Sequence, residues 1–189
     1  MKELLSSEIS AACELLSQGG VLCYPTEAVF GLGCDPQNEA AVAKILALKQ
    51  REIGKGLILI AANYGQCLRF VADEKIAMDK RAEIFSAWPG TTTWLLPAEA
   101  HTPYWLRGDH DTIAVRVTDH PIVKQLCLQF NGAIVSTSAN PAGLPAATSL
   151  AAAQQYFADR VDGYLVGELG NALRPSQIKD ARTGAIIRI

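Results

Sequence analysis

Apolar and polar positions along the 189 residues follow two periods, and the changes from one to the other lay out the elements. Over residues 7–18, Ile9, Ala12, Cys13 and Leu16 fall on one helical face, with Ser6 or Ser7 placed as N-cap and Gly19-Gly20 as the stop. Residues 21–24 read as a short buried strand closed by Pro25, after which the chain runs through 26–33 to a turn at Asp35-Pro36. Asn38 is the expected N-cap of a second helix. Its apolar face, Val42, Ile45 and Leu46, leads on to Lys49, so Lys49 and Arg51 emerge where that helix ends. Residues 57–61 are apolar without alternation, as in a central strand covered on both faces.

A helix predicted over 73–87 is stopped by Trp88-Pro89-Gly90, and residues 91–96 are rich in strand formers. Residues 112–117 alternate, with Ile113, Val115 and Val117 on one face and Ala114 and Arg116 on the other, which sets Arg116 opposite the most apolar face. Pro121 opens a helix reaching Phe130, Thr148 is placed to cap another through Phe157, and 164–166 and 185–188 supply further strands. The run 133–135 enters as a buried strand and leaves through Ser136, Thr137, Ser138 and Asn140 into Pro141 and Gly143-Leu144-Pro145. Four small polar side chains therefore collect at a strand end, where a plain turn and a ligand site are both open readings. The order of elements gives an α/β fold, a mixed sheet flanked by helices. No repeat or linker divides it, so one domain is expected over 1–189.

Composition narrows the function classes. With 49% apolar and 19% charged residues the chain is an ordinary globular sequence, and its apolar runs are too short to span a bilayer, so a cytoplasmic protein without membrane contact is expected. The net charge of −2 argues against a general basic field for nucleic acid. The five cysteines form no Cys-x-x-Cys pair and read as reduced, buried thiols; the three histidines lack partners at metal-ligand spacing, so no protein-built metal site is expected. The chain has no phosphate-binding Gly-x4-Gly-Lys loop and no Gly-x-Ser-x-Gly. What remains is a set of cations, Lys49, Arg51, Lys55, Arg116 and Arg188, together with the small polar groups at 136–140. A phosphate chain suits such a set, since guanidinium groups clamp phosphate oxygens in pairs. Solvated charges at helix ends are the competing explanation.

Several segments then occur in a recognisable order: residues 25–33 (PTEAVFGLG), Lys49-Gln50-Arg51, Lys55-Gly56-Leu57, Trp88-Pro89-Gly90, Ala114-Val115-Arg116-Val117 with His120-Pro121, and 136–140 (STSAN) with Gly143-Leu144-Pro145. With 175–180 (PSQIKD) and Ile187-Arg188 they span nearly the whole chain, which resembles the YrdC-domain family, the threonylcarbamoyl-AMP synthases, in its short bacterial form. The resemblance implies a twisted sheet around a large, positively lined cavity. It also implies formation of threonylcarbamoyl-AMP and pyrophosphate from L-threonine, bicarbonate and ATP with Mg2+, the product going to separate tRNA threonylcarbamoyl-transfer proteins.

Carried over by motif, Lys49, Arg51, Ser138 and Asn140 surround the nucleotide phosphates, and Lys55, Ser136 and Arg188 belong to the ATP site as well. Thr26 and Arg116 fall on positions used around the threonine. Longer relatives place a histidine where Ile60 stands here, so the amino acid is expected to be held differently. Two alternatives stand beside this reading. A carbamoyl-adenylate-forming domain of hydrogenase-maturation carbamoyltransferases would bring zinc-finger cysteines, which are absent from the sequence. An RNA-binding or ribosome-maturation factor would want a basic balance, although a weak, salt-sensitive contact with tRNA stays open.

Overall fold

The computed structural model describes residues 2–188, with the side chain of Arg188 outside the described residues. Strand β1 (Glu3–Leu4) and helix α1 (Ile9–Ser17) precede the antiparallel pair β2 (Leu22–Pro25) and β3 (Phe30–Gly33). Helix α2 (Glu39–Lys49) leads to β4 (Ile58–Ala61), and α3 (Met78–Ser86) to β5 (Thr92–Pro97), the short α4 (Tyr104–Arg107) and β6 (Thr112–Val117). Then come α5 (Pro121–Phe130), β7 (Ile134–Ser138), α6 (Leu150–Phe157) and β8 (Gly163–Leu165), followed by β9 (Gln177–Asp180) and β10 (Ile186–Arg188). All ten strands join in the order β1-β8-β2-β3-β7-β4-β6-β5-β9-β10. Pairing is mixed: β4 with β6 and β5 with β9 are parallel, whereas β3 with β7 and β7 with β4 are antiparallel.

The local chemistry accounts for most of the boundaries. Asn38 caps α2 by accepting the Ala41 N–H at 3.0 Å, and Gln50 ends the helix in the left-handed region at φ 51. Pro121 opens α5 as expected. Several expectations need correction. Helix α1 starts two residues later than predicted, with Glu8 rather than a serine at its N-cap and no side-chain cap bond. The predicted 73–87 helix is broken, a single 3-10 turn at Asp73–Lys75 being followed by α3, because Ile76 and Ala77 turn extended there. Ser149, not Thr148, caps α6, accepting the Ala152 N–H at 3.1 Å. Pro25 closes β2 as expected, as its last residue and paired with Phe30. Strands β1 and β9 and the one-turn α4 were not foreseen; β9 is half-buried throughout and carries no clean alternation.

Apolar side chains pack on both faces of the sheet. On one, Ile9, Leu16, Val123 and Leu126 of α1 and α5 cover Leu22, Tyr24, Ile60 and Ile134; on the other, Val42 and Ile45 of α2 meet Leu32, Leu59, Val115 and Val135. Each such fully buried aliphatic side chain contributes about 1.5–3 kcal/mol, which is what fixes the register. All five cysteines are free and buried, Cys13 and Cys127 on the inner sides of α1 and α5, and Cys23, Cys34 and Cys67 in the core of the opposite face. Among the described residues no helix is long and apolar enough to cross a membrane.

Strand register positions the site. The row Ser136, Ile58, Ala114, Leu95 runs across four neighbouring strands on the face that α1 and α5 cover, one row beyond the helix-covered row Ile134, Ile60. The helices stop short of it. These residues form the floor of an open cavity, and the segment 166–176, passing from β8 to β9 across the six strands between them, contributes Arg174, Pro175 and Ser176 to its wall.

Candidate active site

The cavity has a volume of about 610 Å³, room enough for a nucleotide together with a small molecule. Thr26, Lys49, Arg51, Lys55, Arg116, Ser136, Ser138 and Asn140 all line it. Arg188 is in β10, and its side chain lies outside the described residues.

The tip of β7 and the end of α2 are stitched together. Ala142 N–H donates to the Lys49 carbonyl at 3.1 Å, so a helix-terminal carbonyl finds its partner in the loop. The Lys49 side chain returns the contact: its Nζ donates to the Ser138 carbonyl, to the Asn140 carbonyl at 2.9 Å and to Asn140 Oδ1 at 3.3 Å. Lys49 is buried, and burial, with Arg51 nearby, lowers its pKa to about 8. Ser138 Oγ donates to Asn140 Oδ1 at 2.6 Å, while Asn140 Nδ2 donates to the Leu144 carbonyl at 2.8 Å and that of Pro141 at 3.1 Å. The Asn140 amide thus organises the loop. Arg51 braces the turn that follows it, donating through Nε and Nη2 to the Gly56 carbonyl at 3.3 and 2.9 Å.

Thr26 and Arg116 both line the cavity. Thr26 closes the β2–β3 turn by donating its hydroxyl to the Val29 carbonyl at 2.7 Å, and Gly31 fits closely beside it, since a Cβ there would stand 3.3 Å from Thr26 Cγ2, 3.4 Å from the Thr137 carbonyl oxygen and 3.6 Å from Ser136 Oγ. Arg116 is buried in an ion pair, its Nη1 lying 3.1 Å from Glu27 Oε2. Sequence reasoning passed over Glu27, although a carboxylate inside the otherwise apolar segment 21–34 is a signal that some buried cation must answer. It also passed over Arg107 and His110, where Arg107 Nη1 donates to the His110 carbonyl at 3.0 Å, and over Arg174 and Ser176, whose hydroxyl receives that of Thr93 at 3.0 Å. Nothing in the local pattern marks these, because they reach the cavity through chain crossings.

A cavity with a mostly apolar floor, small polar groups at the β7 tip and several cations in its walls can hold a polyanion and orient a second, smaller anion beside it. Comparison with known proteins agrees. The family model Sua5_yciO_yrdC, described as Telomere recombination, matches residues 14–189. The chain is 55% identical over 182 residues to a threonylcarbamoyl-AMP synthase of Pseudoalteromonas translucida (strain TAC 125), covering 96% of this chain and 97% of that protein. It is 49% identical over 185 residues to the threonylcarbamoyl-AMP synthase of Pseudomonas aeruginosa strain UCBPP-PA14, covering 97% of each. Among solved structures, P. abyssi Sua5 complexed with L-threonine superposes with a TM-score of 0.86 at 27% identity; 95% of this chain is covered, spanning 53% of that longer one. The fold of E. coli YciO is also shared, with a TM-score of 0.85 at 22% identity over 99% of this chain and 93% of that one. The chain belongs to the Sua5_yciO_yrdC family, and its activity is that of a threonylcarbamoyl-AMP synthase, a nucleotidyltransferase.

Proposed function

We propose that the cavity binds ATP along the junction of α2 and the β7 tip, and L-threonine near Thr26 and Arg116, so that the two react across the floor between them. The observation that carries this reading is the contact of Lys49 with Ser138 and Asn140, which puts a cation and small polar groups from distant parts of the chain in one wall. Lys49 and Arg51 offset charge on the phosphates and on the departing pyrophosphate. Ser136, Ser138 and Lys55 add hydrogen bonds and charge along the same run. Asn140 acts by shaping the loop, since its amide is spent on Leu144 and Pro141.

In the amino-acid half, Arg116 pairs with the carboxylate of threonine and the Thr26 hydroxyl orients its head group. The uncharged amine adds to the carbon of bicarbonate with loss of water, giving a carbamate. A carbamate oxygen then attacks the α-phosphorus, the bond from that phosphorus to the β-bridging oxygen breaks, and pyrophosphate leaves. Both reactants are anions, so positioning and charge neutralisation supply the rate.

The P. abyssi relative bound to L-threonine supports the amino-acid half. Among the described residues no group of three His, Cys, Asp or Glu is placed to hold a metal ion, and Glu27 is committed to Arg116. Mg2+ would come with ATP as part of the nucleotide substrate and would add to the charge neutralisation that Lys49 and Arg51 supply. The product goes on to separate proteins that transfer the threonylcarbamoyl group to tRNA. Pyrophosphate release from ATP by the purified protein, with threonine and bicarbonate omitted in turn, tests the reading: release that needs both supports it, and release indifferent to threonine removes it.

A further inference from the structure

One cavity must hold two anions of different charge, and its cations are not equivalent. Lys49 spends its hydrogen bonds on carbonyl and amide oxygens, which carry no formal charge. Lys55 has a carboxylate neighbour, Glu52 at 3.3 Å, but both side chains lie largely in solvent, where pairing is weak. Arg116 is different, because its partner Glu27 is buried with it, the two side chains being 8% and 9% exposed at 3.1 Å.

Glu27 is in turn held fast. Thr118 Oγ1 donates to its Oε1 at 2.6 Å, the Asp119 N–H to the same oxygen at 3.3 Å, and the His120 N–H to Thr118 Oγ1 at 3.1 Å. The main chain is clamped as well: Ala172 N–H donates to the Glu27 carbonyl at 3.0 Å, and Gly170 packs so closely that a Cβ there would stand 2.9 Å from Glu27 Cα. These bonds hold the carboxylate beside Arg116.

A guanidinium paired in this way presents close to no net charge while keeping the N–H donors that its partner does not use. Such a group suits a monoanionic carboxylate that it can hydrogen-bond. It is a poor seat for a polyphosphate, whose binding depends on net positive charge. We propose that Glu27 sorts the two anionic substrates: by neutralising Arg116 from behind, it reserves that end of the cavity for the amino-acid carboxylate and leaves the triphosphate to the Lys49 end. Glu27 is a positioning residue, since it acts through Arg116. The inference rests on the placement of the amino acid at Arg116 given above.

The test uses Glu27→Gln, which keeps the shape and an acceptor for Thr118, with product formation followed by chromatography while threonine is varied at saturating ATP. Inorganic tripolyphosphate serves as the probe of polyanion binding. With ATP saturating, its triphosphate now competes for the unscreened Arg116, so the expected result is a rise of at least about tenfold in the apparent KM for threonine, which shrinks as ATP is lowered. Tripolyphosphate is expected not to compete with threonine in the native protein and to compete with it in the variant, and Glu27→Asp should recover part of the difference. Thr118→Val, which loosens the carboxylate without changing its charge, shifts both readouts in the same direction by less, and it serves if Glu27→Gln does not fold.

An unchanged threonine KM with an unchanged inhibition pattern overturns the sorting role. So does a parallel rise in both KM values with a lower melting temperature, the mark of a merely structural residue. Arg116→Gln separates the two levels: if it leaves threonine KM unaltered, the placement of the amino acid has failed, whereas a raised KM there beside an unaltered Glu27→Gln variant sinks the sorting alone.

Discussion

Lys49 Nζ lies 2.9 Å from the carbonyl oxygen of Asn140, a residue 91 positions further along the chain, and this contact joins the end of α2 to the tip of β7. It has two effects at once. It sets a cation in the cavity wall, and it ties the Ser138 and Asn140 oxygens of the loop to the helix end. Lys49→Ala is therefore expected to lose both. Turnover should fall by about a hundredfold or more, and stability by about 1–3 kcal/mol as hydrogen bonds from a charged donor are lost. Pyrophosphate release and a thermal melt on the same preparation check this; a variant with native turnover would remove Lys49 from the phosphate site.

The same burial gives the activity a pH signature. Lys49 is lowered from 10.5 to about 8, so in the free enzyme its charge is lost as pH rises through about 8. Only the protonated form neutralises phosphate, and kcat/KM for ATP should decline above about pH 8 with a single ionisation. Bound triphosphate favours the ammonium, so the corresponding break in kcat should lie at higher pH. For stability the sign is opposite to that of a lysine gaining a partner. The folded chain holds this proton less tightly than the unfolded one, so the cost is fully present below about pH 8 and is relieved as pH rises toward 10.5. A pH series of rates, repeated with Lys49→Arg, whose charge persists, should move the alkaline limb.

Two glycines two residues apart should behave in contrasting ways. A Cβ on Gly33 would stand 2.5 Å from the Val135 carbonyl oxygen and 2.7 Å from Tyr24 Cε1, so strands β3 and β7 would have to part. Gly33→Ala should destabilise by about 3 kcal/mol or more. On Gly31 the nearest atoms are 3.3 Å or further away and belong to the cavity wall. Gly31→Ala should keep its melting temperature within a few degrees while raising KM for threonine, because the new methyl sits between Thr26 and Ser136. Urea unfolding beside steady-state kinetics separates the two effects.

The cap on α2 offers a control remote from the chemistry. Asn38→Ala removes the bond to Ala41 N–H at the end of the helix opposite Lys49. It should cost about 1 kcal/mol of stability and leave turnover near native, since the other end is pinned by Ala142 and Arg51. A large fall in turnover would mean that the placement of Lys49 depends on the whole length of the helix.

Much of this was legible in the chain. The alternation of 112–117 put Arg116 on its own face, the Asn38 cap and the Val42, Ile45 and Leu46 stripe delivered Lys49 to a helix end, and the apolar run before Ser136 marked β7. Such features are local, so a short window holds all the information they need. The remainder depended on partners far away. β9 is a strand because it pairs with β5, not because its sequence alternates, and Arg174 and Ser176 reach the cavity because the segment before β9 crosses the sheet. Helix edges slipped for the same reason: Glu8 and Ser149 took the cap positions over equally plausible neighbours once packing set where each helix began.

The distribution of thiols has a practical consequence. Burial pushes Cys23 and Cys67 up to about 12 and raises Cys13, Cys34 and Cys127 as well, so an alkylating reagent meets almost no reactive sulfur while the molecule is closed. Each chemical tag then records a moment of opening. Because Cys13 and Cys127 sit on one side and Cys23, Cys34 and Cys67 on the other, the order in which they are tagged reports which layer peels away first, a built-in recorder that needs no engineered probe.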